Sequence, residues 1–340
     1  MTSRERASNA LNGKPVDRPA VQYIYGPVGF YEHGEKLNDL YAQYPGDFEP
    51  FIRKPIPKPP ADAFDGEGRY FERLTDEWGV TQEYRVYGIM GSVVDSPIKD
   101  PNDAKSYQFP PQPVYVSDSK TFRQELYQRK KDHFIFGKGK GLLEMMWKIR
   151  GFENTMMDLY EDNAEINDLL DRLTDYFRIQ IETQVEAGVD GIAIGDDYGT
   201  QNGLLLSKDI FRHAVKPRLA RMMEAPRKAG LPIHFHSCGK VLDLFEDFKD
   251  LGITSLWPQL PVYDLYELRD ALNFYGFSLA IHTDRAVTMT SGTPAQVREK
   301  VGLENEIFKP RDGHSWFHIE ADNGFPFENI AALVETIFSL

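Results

Sequence analysis

Apolar residues along this chain fall into two alternating patterns: short continuous runs rich in β-branched residues, and longer stretches in which they recur every three or four positions. The first is how a strand buried on both faces reads, and the second lays an apolar stripe along a helix. The clearest helix spans about 163–187, where Ile166, Leu169, Leu170, Leu173, Phe177, Ile181 and Val185 share one stripe. Gly188 ends it, and the run Gly191-Ile192-Ala193-Ile194 follows. The unit then recurs as helix 207–229, strand 232–236, helix 241–251, strand 253–257, helix 265–272 and strand 277–281. A helix after Thr293-Pro294, strand 315–319 and a last helix from Phe327 close the chain. Upstream, 21–25, 78–84 and 133–136 complete eight strand candidates. Eight strands, most followed by a helix, predict an α/β fold: a single (β/α)8 barrel over 1–340 with its active site at the C-terminal ends of the strands.

The front third is less regular. Residues 54–65 and 109–113 are proline-rich and read as surface loops within an extended region of about 44–118, placed either as lids over one mouth of the barrel or as passive connections. An open doubly wound sheet is the rival architecture, but its nucleotide-binding version needs a glycine-rich phosphate loop after an early strand. Gly137-Lys138-Gly139-Lys140-Gly141 lacks the required spacing and reads as a tight loop after a strand.

Charge narrows the partners. With 39 Lys+Arg against 52 Asp+Glu the net charge is −13, the wrong sign for nucleic acid. A single cysteine, Cys238, excludes an internal disulfide, the first ten residues are charged, and no apolar run approaches the roughly 18 residues of a membrane span. The expectation is a cytoplasmic protein that engages no membrane.

If the fold is a barrel, the polar residues just after each apolar run carry the chemistry. Four places stand out: Asp196-Asp197-Tyr198, His234-Phe235-His236-Ser237-Cys238-Gly239, His282-Thr283-Asp284, and His318-Ile319-Glu320-Ala321-Asp322. Strand side chains alternate faces, so His234, His236 and Cys238 share a side while Asp196 and Asp197 face opposite ways. Imidazole and thiolate suit zinc, and His318 and Glu320 share a parity that fits a metal ligand or an acid/base pair. His234, deeper in its strand, reads as a hydrogen-bonded core histidine. Glu144, beside Met145-Met146-Trp147, and Tyr23, Tyr25, Tyr198 and His282 are candidates for substrate contacts, in keeping with the 13% aromatic content.

These residues carry a resemblance. Ser3-Arg4-Glu5-Arg6, Ala10-Leu11-Asn12-Gly13, Asp17-Arg18-Pro19, Gly195-Asp196-Asp197-Tyr198-Gly199-Thr200-Gln201, Lys216-Pro217-Arg218, His236-Ser237-Cys238-Gly239 and Pro326-Phe327-Glu328-Asn329-Ile330 resemble, in order along the chain, the uroporphyrinogen decarboxylase superfamily. The resemblance implies a (β/α)8 barrel and one of two chemistries: decarboxylation of tetrapyrrole acetates, or methyl transfer to or from the cobalt of a corrinoid (cobalamin) on a separate protein. Decarboxylases carry an Arg-Gln-Ala-Gly-Arg stretch after the first strand, whereas here Gln22-Tyr23-Ile24-Tyr25-Gly26-Pro27 contains no arginine, so many carboxylates would go unpaired. The His-x-Cys-Gly motif is similar to the corrinoid-dependent methyltransferase branch, which implies zinc on His236 and Cys238. The branch's later cysteine is missing, and Glu320 or His318 is the expected third ligand. Asp196, Asp197, His318 and Glu320 are the expected catalytic groups.

The implied activity is transfer of a methyl group from a small donor, an aromatic methyl ether for example, to a corrinoid protein. The alternatives are transfer from methylcobalamin to a thiol or tetrahydrofolate, a decarboxylase, or a ligand-binding barrel without chemistry.

Overall fold

The computed structural model describes residues 1–340. The strands are β1 (Val21–Ile24), β2 (Glu72–Thr75), β3 (Thr81–Tyr84), β4 (Ser92–Asp95), β5 (Phe136–Gly139), β6 (Gly191–Gly195), β7 (Ile233–Ser237), β8 (Ser255–Pro258), β9 (Ser278–Ile281) and β10 (Ser315–Glu320). Seven of them form one curled parallel sheet in the order β1-β10-β9-β8-β7-β6-β5, with helices outside, so the fold is of the TIM-barrel type. Outward side chains such as Ile192, Ile194, Phe235, Leu256 and Ile319 join the core beneath the helices. Inward ones at the lower end, Phe136, Ala280 and Trp316, pack with Phe48 and with Ala7, Ala10 and Leu11 of the first helix, Ser3–Leu11. That helix floors the barrel. No helix is long and apolar enough to cross a membrane.

One expected barrel strand lies elsewhere. The segment assigned at 78–84 contributes β3 to a separate antiparallel sheet, β2-β3-β4. The physical reason lies in its sequence: Thr81-Gln82-Glu83-Tyr84 is polar and only Gln82 is buried, whereas a parallel barrel strand is covered on both faces. The turn before it is also specified locally, because the Asp76 carboxylate accepts the Trp78 and Val80 amides and Gly79 supplies a φ of +73°.

With seven strands, β1 and β5 are left as edges, and the backbone of a single residue, Asp47, spans the gap. The Asp47 N–H donates to the Val21 carbonyl at 2.7 Å, and the Asp47 carbonyl accepts from the Phe134 amide at 3.4 Å. The Asp47 side chain is fully buried in the same seam. Its carboxylate accepts from Arg6 (2.6 Å), from two nitrogens of Arg18 (2.8 and 3.0 Å) and from the Val21 amide (2.9 Å). Arg6 also clasps Asp17 at 2.7 Å, and Arg4 pairs with Asp190 at 2.5 Å. The charged residues that open the sequence therefore hold the floor and the seam together.

Removing one partner of a buried ionic network leaves the others uncompensated. Asp47→Ala is expected to lower unfolding stability by about 3–5 kcal/mol, against under about 1 kcal/mol for the exposed pair partner Asp39→Ala. Urea denaturation of both variants measures the difference.

Candidate functional site

Above the packed floor the barrel interior opens into a cavity of about 560 Å³. Its walls include Tyr23, Tyr25, Phe48, Phe136 and Trp257, and its polar lining comes from Gln22, Glu49, Lys54, Lys138, His234, His236 and His318. Ala193 and Gly195, at inward positions of β6, leave the room, because larger side chains there would project toward His234 and His236. No arginine lines it.

At the upper ends of β6 and β7, strand alternation sorts the candidates. Ala193, Gly195 and Asp197 are half-buried while Ile192, Ile194, Asp196 and Tyr198 are buried, and along β7 the half-buried residues are His236 and Cys238. Asp197, His236 and Cys238 thereby converge, with one ligand atom from each lying within 4.8 Å of the others. His236 Nε2 is 3.5 Å from Cys238 Sγ and 3.7 Å from Asp197 Oδ1, and Asp197 Oδ1 accepts the Cys238 amide at 2.7 Å. Burial, reinforced by the charges of Asp197 and Glu144, pushes the Cys238 thiol up to about 12.

Asp196 does something else. Its carboxylate accepts the Leu143 and Glu144 amides at 2.9 and 2.8 Å, capping the helix Leu142–Arg150, and the Tyr198 hydroxyl donates to it at 2.5 Å. The helix has no capping side chain of its own. A Cβ on Gly141 would lie 2.6 Å from Asp196 Oδ1, so glycine there admits the carboxylate. Asp196 and Tyr198 thus sit under the helix, outside the cavity lining, which corrects the expectation that both face substrate. The helix they hold carries Glu144, whose carboxyl is pushed up to about 7 by burial and then by Asp196 and Asp197.

The imidazoles at the centre have their protons fixed by neighbours of known polarity. The His236 Nδ1 lies 2.7 Å from the Trp257 carbonyl, an acceptor, so the proton is on Nδ1 and Nε2 offers its lone pair toward Cys238 and Asp197. The Trp316 indole donates to Gln22 Oε1 at 3.3 Å, which identifies that atom as oxygen, so His318 Nδ1, 3.1 Å from it, is also the protonated nitrogen. At His282 the order reverses. The Trp257 indole donates to Nδ1 at 3.1 Å, leaving the proton on Nε2, 3.6 Å from Glu320. Burial holds His236 and His318 below the ordinary imidazole range and takes His282 and His234 down to about 3, so all four are neutral at pH 7. His234 is hydrogen-bonded to Ser255 Oγ at 2.7 Å.

Glu320 and His318 do not join the Asp197 cluster. The Trp257 ring lies between His236 and His318, 4.1 Å from one and 4.0 Å from the other. Glu320 is engaged instead by Arg285 at 3.4 Å, whose other nitrogen pairs with Asp322. The third donor beside His236 and Cys238 is therefore Asp197, where Glu320 or His318 was expected. Tyr23 lines the cavity but spends its hydroxyl on the Tyr44 carbonyl at 2.8 Å, and Tyr25 presents its ring beneath the Lys54 ammonium at 4.8 Å. Gln22, Lys54, Lys138, Trp257 and Arg285 were not singled out from the sequence. For Gln22 and Lys138 a signal existed, since each is a polar residue at an inward position of a barrel strand.

Residues 77–258 match the family described as uroporphyrinogen decarboxylase (URO-D). The uroporphyrinogen decarboxylases of two strains of Thermus thermophilus are each 22% identical over 254 residues, 72% of this chain and 72% of theirs. A methyltransferase from Methanosarcina mazei superposes with a TM-score of 0.68 at 19% identity, covering 100% of this chain and 99% of that one, and has the same fold.

The proton map is testable directly. Long-range proton–nitrogen correlation spectra are expected to show His236 and His318 as Nδ1–H tautomers and His282 as the Nε2–H tautomer. His282 should not titrate between pH 5 and 8, and His236 and His318 should titrate below the ordinary imidazole midpoint. A titration midpoint near about 6.5 at His282 would contradict the assignment.

Proposed function

This chain belongs to the uroporphyrinogen decarboxylase family, and we propose that within it the protein is a methyltransferase, moving a methyl group from a small donor to the cobalt of a corrinoid held by a separate protein. The observation that carries the reading is the Asp197–His236–Cys238 cluster at the end of a cavity with aromatic walls and no arginine. A substrate with many carboxylates would find only Lys54 and Lys138 as cationic partners there, which weighs against tetrapyrrole decarboxylation.

The cluster fits zinc. It offers one nitrogen, one sulfur and one oxygen, and the His236 lone pair is aimed by the Trp257 carbonyl in the way that an outer hydrogen bond commonly orients a metal-bound imidazole. When bound there, zinc supplies Lewis acidity at the donor heteroatom and holds Cys238 as thiolate. Asp197, His236 and Cys238 would be its ligands.

The remaining chemistry belongs to the chain's own groups. A methyl group leaves an ether oxygen readily only if that oxygen is protonated or polarised as the carbon–oxygen bond breaks, because the oxygen keeps the electron pair. Glu144 stands beside the cluster on a helix anchored by Asp196, and its carboxyl holds a proton up to about pH 7. It is the proton source for the departing oxygen. Aromatic walls keep water away from the reacting carbon.

Purified protein is expected to bind close to one zinc per chain. Asp197→Ala, His236→Ala and Cys238→Ser should each lose metal and methyl transfer together, followed by metal analysis and the cobalt absorption spectrum of an added corrinoid protein. Glu144→Gln should retain metal and lower turnover by about 10²-fold or more. The acid acts only in its protonated form, so wild-type turnover should fall as pH rises through about 7, and the Gln variant should lack that limb. Full activity in the metal-free Cys238→Ser protein would remove zinc from the reading.

A further inference from the structure

Two lysines that line the cavity, Lys54 and the solvent-accessible Lys138, have no part in the chemistry above. Lys138 lies on the inner face of β5, in register with Ala193 and, through it, with His234. Inward strand positions of a small barrel ordinarily carry side chains that fill it. Lys54 reaches the same space from the loop after the seam, with its ammonium over Tyr25. Neither lysine has a carboxylate within ion-pair distance. The one acid lining the cavity, Glu49, is itself paired with Arg129 at 3.2 Å. The nearby imidazoles are neutral, so they neither repel nor neutralise a cation.

In a chain whose acids outnumber its basic residues 52 to 39, two unpaired lysines lining a cavity walled on one side by aromatic rings mark where an anion goes. The rest of the lining describes the body attached to that anion. Tyr25, Phe136 and Trp257 present apolar surface suited to a flat ring, and the volume of about 560 Å³ is within the range of small-molecule sites.

We propose that the cavity binds an aromatic ligand bearing a single carboxylate, the carboxylate on Lys54 and Lys138, the ring among Tyr25, Phe136 and Trp257, and the far end directed to His236. The assignment deepens the methyltransferase reading, because it makes the methyl donor or its demethylated product an aromatic monoanion. Ligand binding itself does not depend on that reading.

Binding is measured without corrinoid or turnover, by calorimetry on the purified full chain. The probes are benzoate, 4-methoxybenzoate, neutral methoxybenzene and the non-planar cyclohexanecarboxylate. Both aromatic carboxylates are expected to bind saturably and at least about tenfold more tightly than methoxybenzene or cyclohexanecarboxylate. Lys138→Gln and Lys54→Gln should each weaken benzoate by about tenfold, the loss expected for one charge-assisted contact, and the double variant should abolish binding. Lys138→Arg should retain it. Ala193→Phe, which fills the cavity, should abolish binding in a protein whose circular dichroism and thermal transition remain native-like.

Three results overturn the proposal: no saturable binding of either carboxylate, equal affinity for methoxybenzene, or undiminished benzoate binding in the double lysine variant. Equal affinity for cyclohexanecarboxylate overturns its aromatic part. Binding as expected with no methyl transfer from any donor would count against the methyltransferase reading and leave the ligand assignment standing.

Discussion

A carboxylate with no solvent exposure, Asp47, decides whether the seven strands enclose a space. A sheet with two free edges would leave unpaired peptide groups beside β1 and β5, and the two peptide groups that flank the Asp47 Cα bridge them with one hydrogen bond to each side. Its side chain is tolerable in that place only because Arg6 and Arg18 converge on it. Arg6 comes from the helix that also plugs the lower end and Arg18 from the loop between that helix and β1, so floor and seam are one ionic assembly. Every functional geometry above it presupposes this closure.

Within the enclosure, Trp257 organises the polar groups. Its carbonyl fixes the tautomer of His236, its indole N–H fixes the opposite tautomer of His282, and its ring separates His236 from His318. One residue thus divides the strand-end acids and imidazoles into two sets. Asp197 and Cys238 fall with His236, while Glu320, Asp322 and Arg285 fall with His282.

What could be read from the chain follows from periodicity. Six of the seven parallel strands announce themselves as apolar runs, while β5 begins only at Phe136, where the run read at 133–136 ends; alternation along β6 and β7 is enough to separate Asp197 from Asp196 and to group His236 with Cys238. The eighth element could not be read, because the seam is made by the backbone of one residue and a buried ionic network in a segment with no strand-like pattern. The polar run at 81–84 was the nearest substitute. The cap formed by Asp196 was hidden for a similar reason: its partners, the amides of Leu143 and Glu144, lie more than fifty positions away and have no side-chain signature. Glu320 has the right parity for the metal cluster, but parity states which way a side chain points and says nothing of the Arg285 guanidinium that engages it. The opening Arg-rich motif supports a family resemblance, yet its residues turn out to serve closure, remote from the chemistry.

The plug formed by Ser3–Leu11 also has a kinetic meaning. A barrel stoppered at one end has a single doorway, so a small molecule must arrive and depart past the same strand ends that present Asp197, His236 and Cys238. Any macromolecule that seats itself over that doorway to reach those residues traps whatever is already inside and bars whatever is not. If a large partner docks there, the small reactant has to enter before it and leave after it.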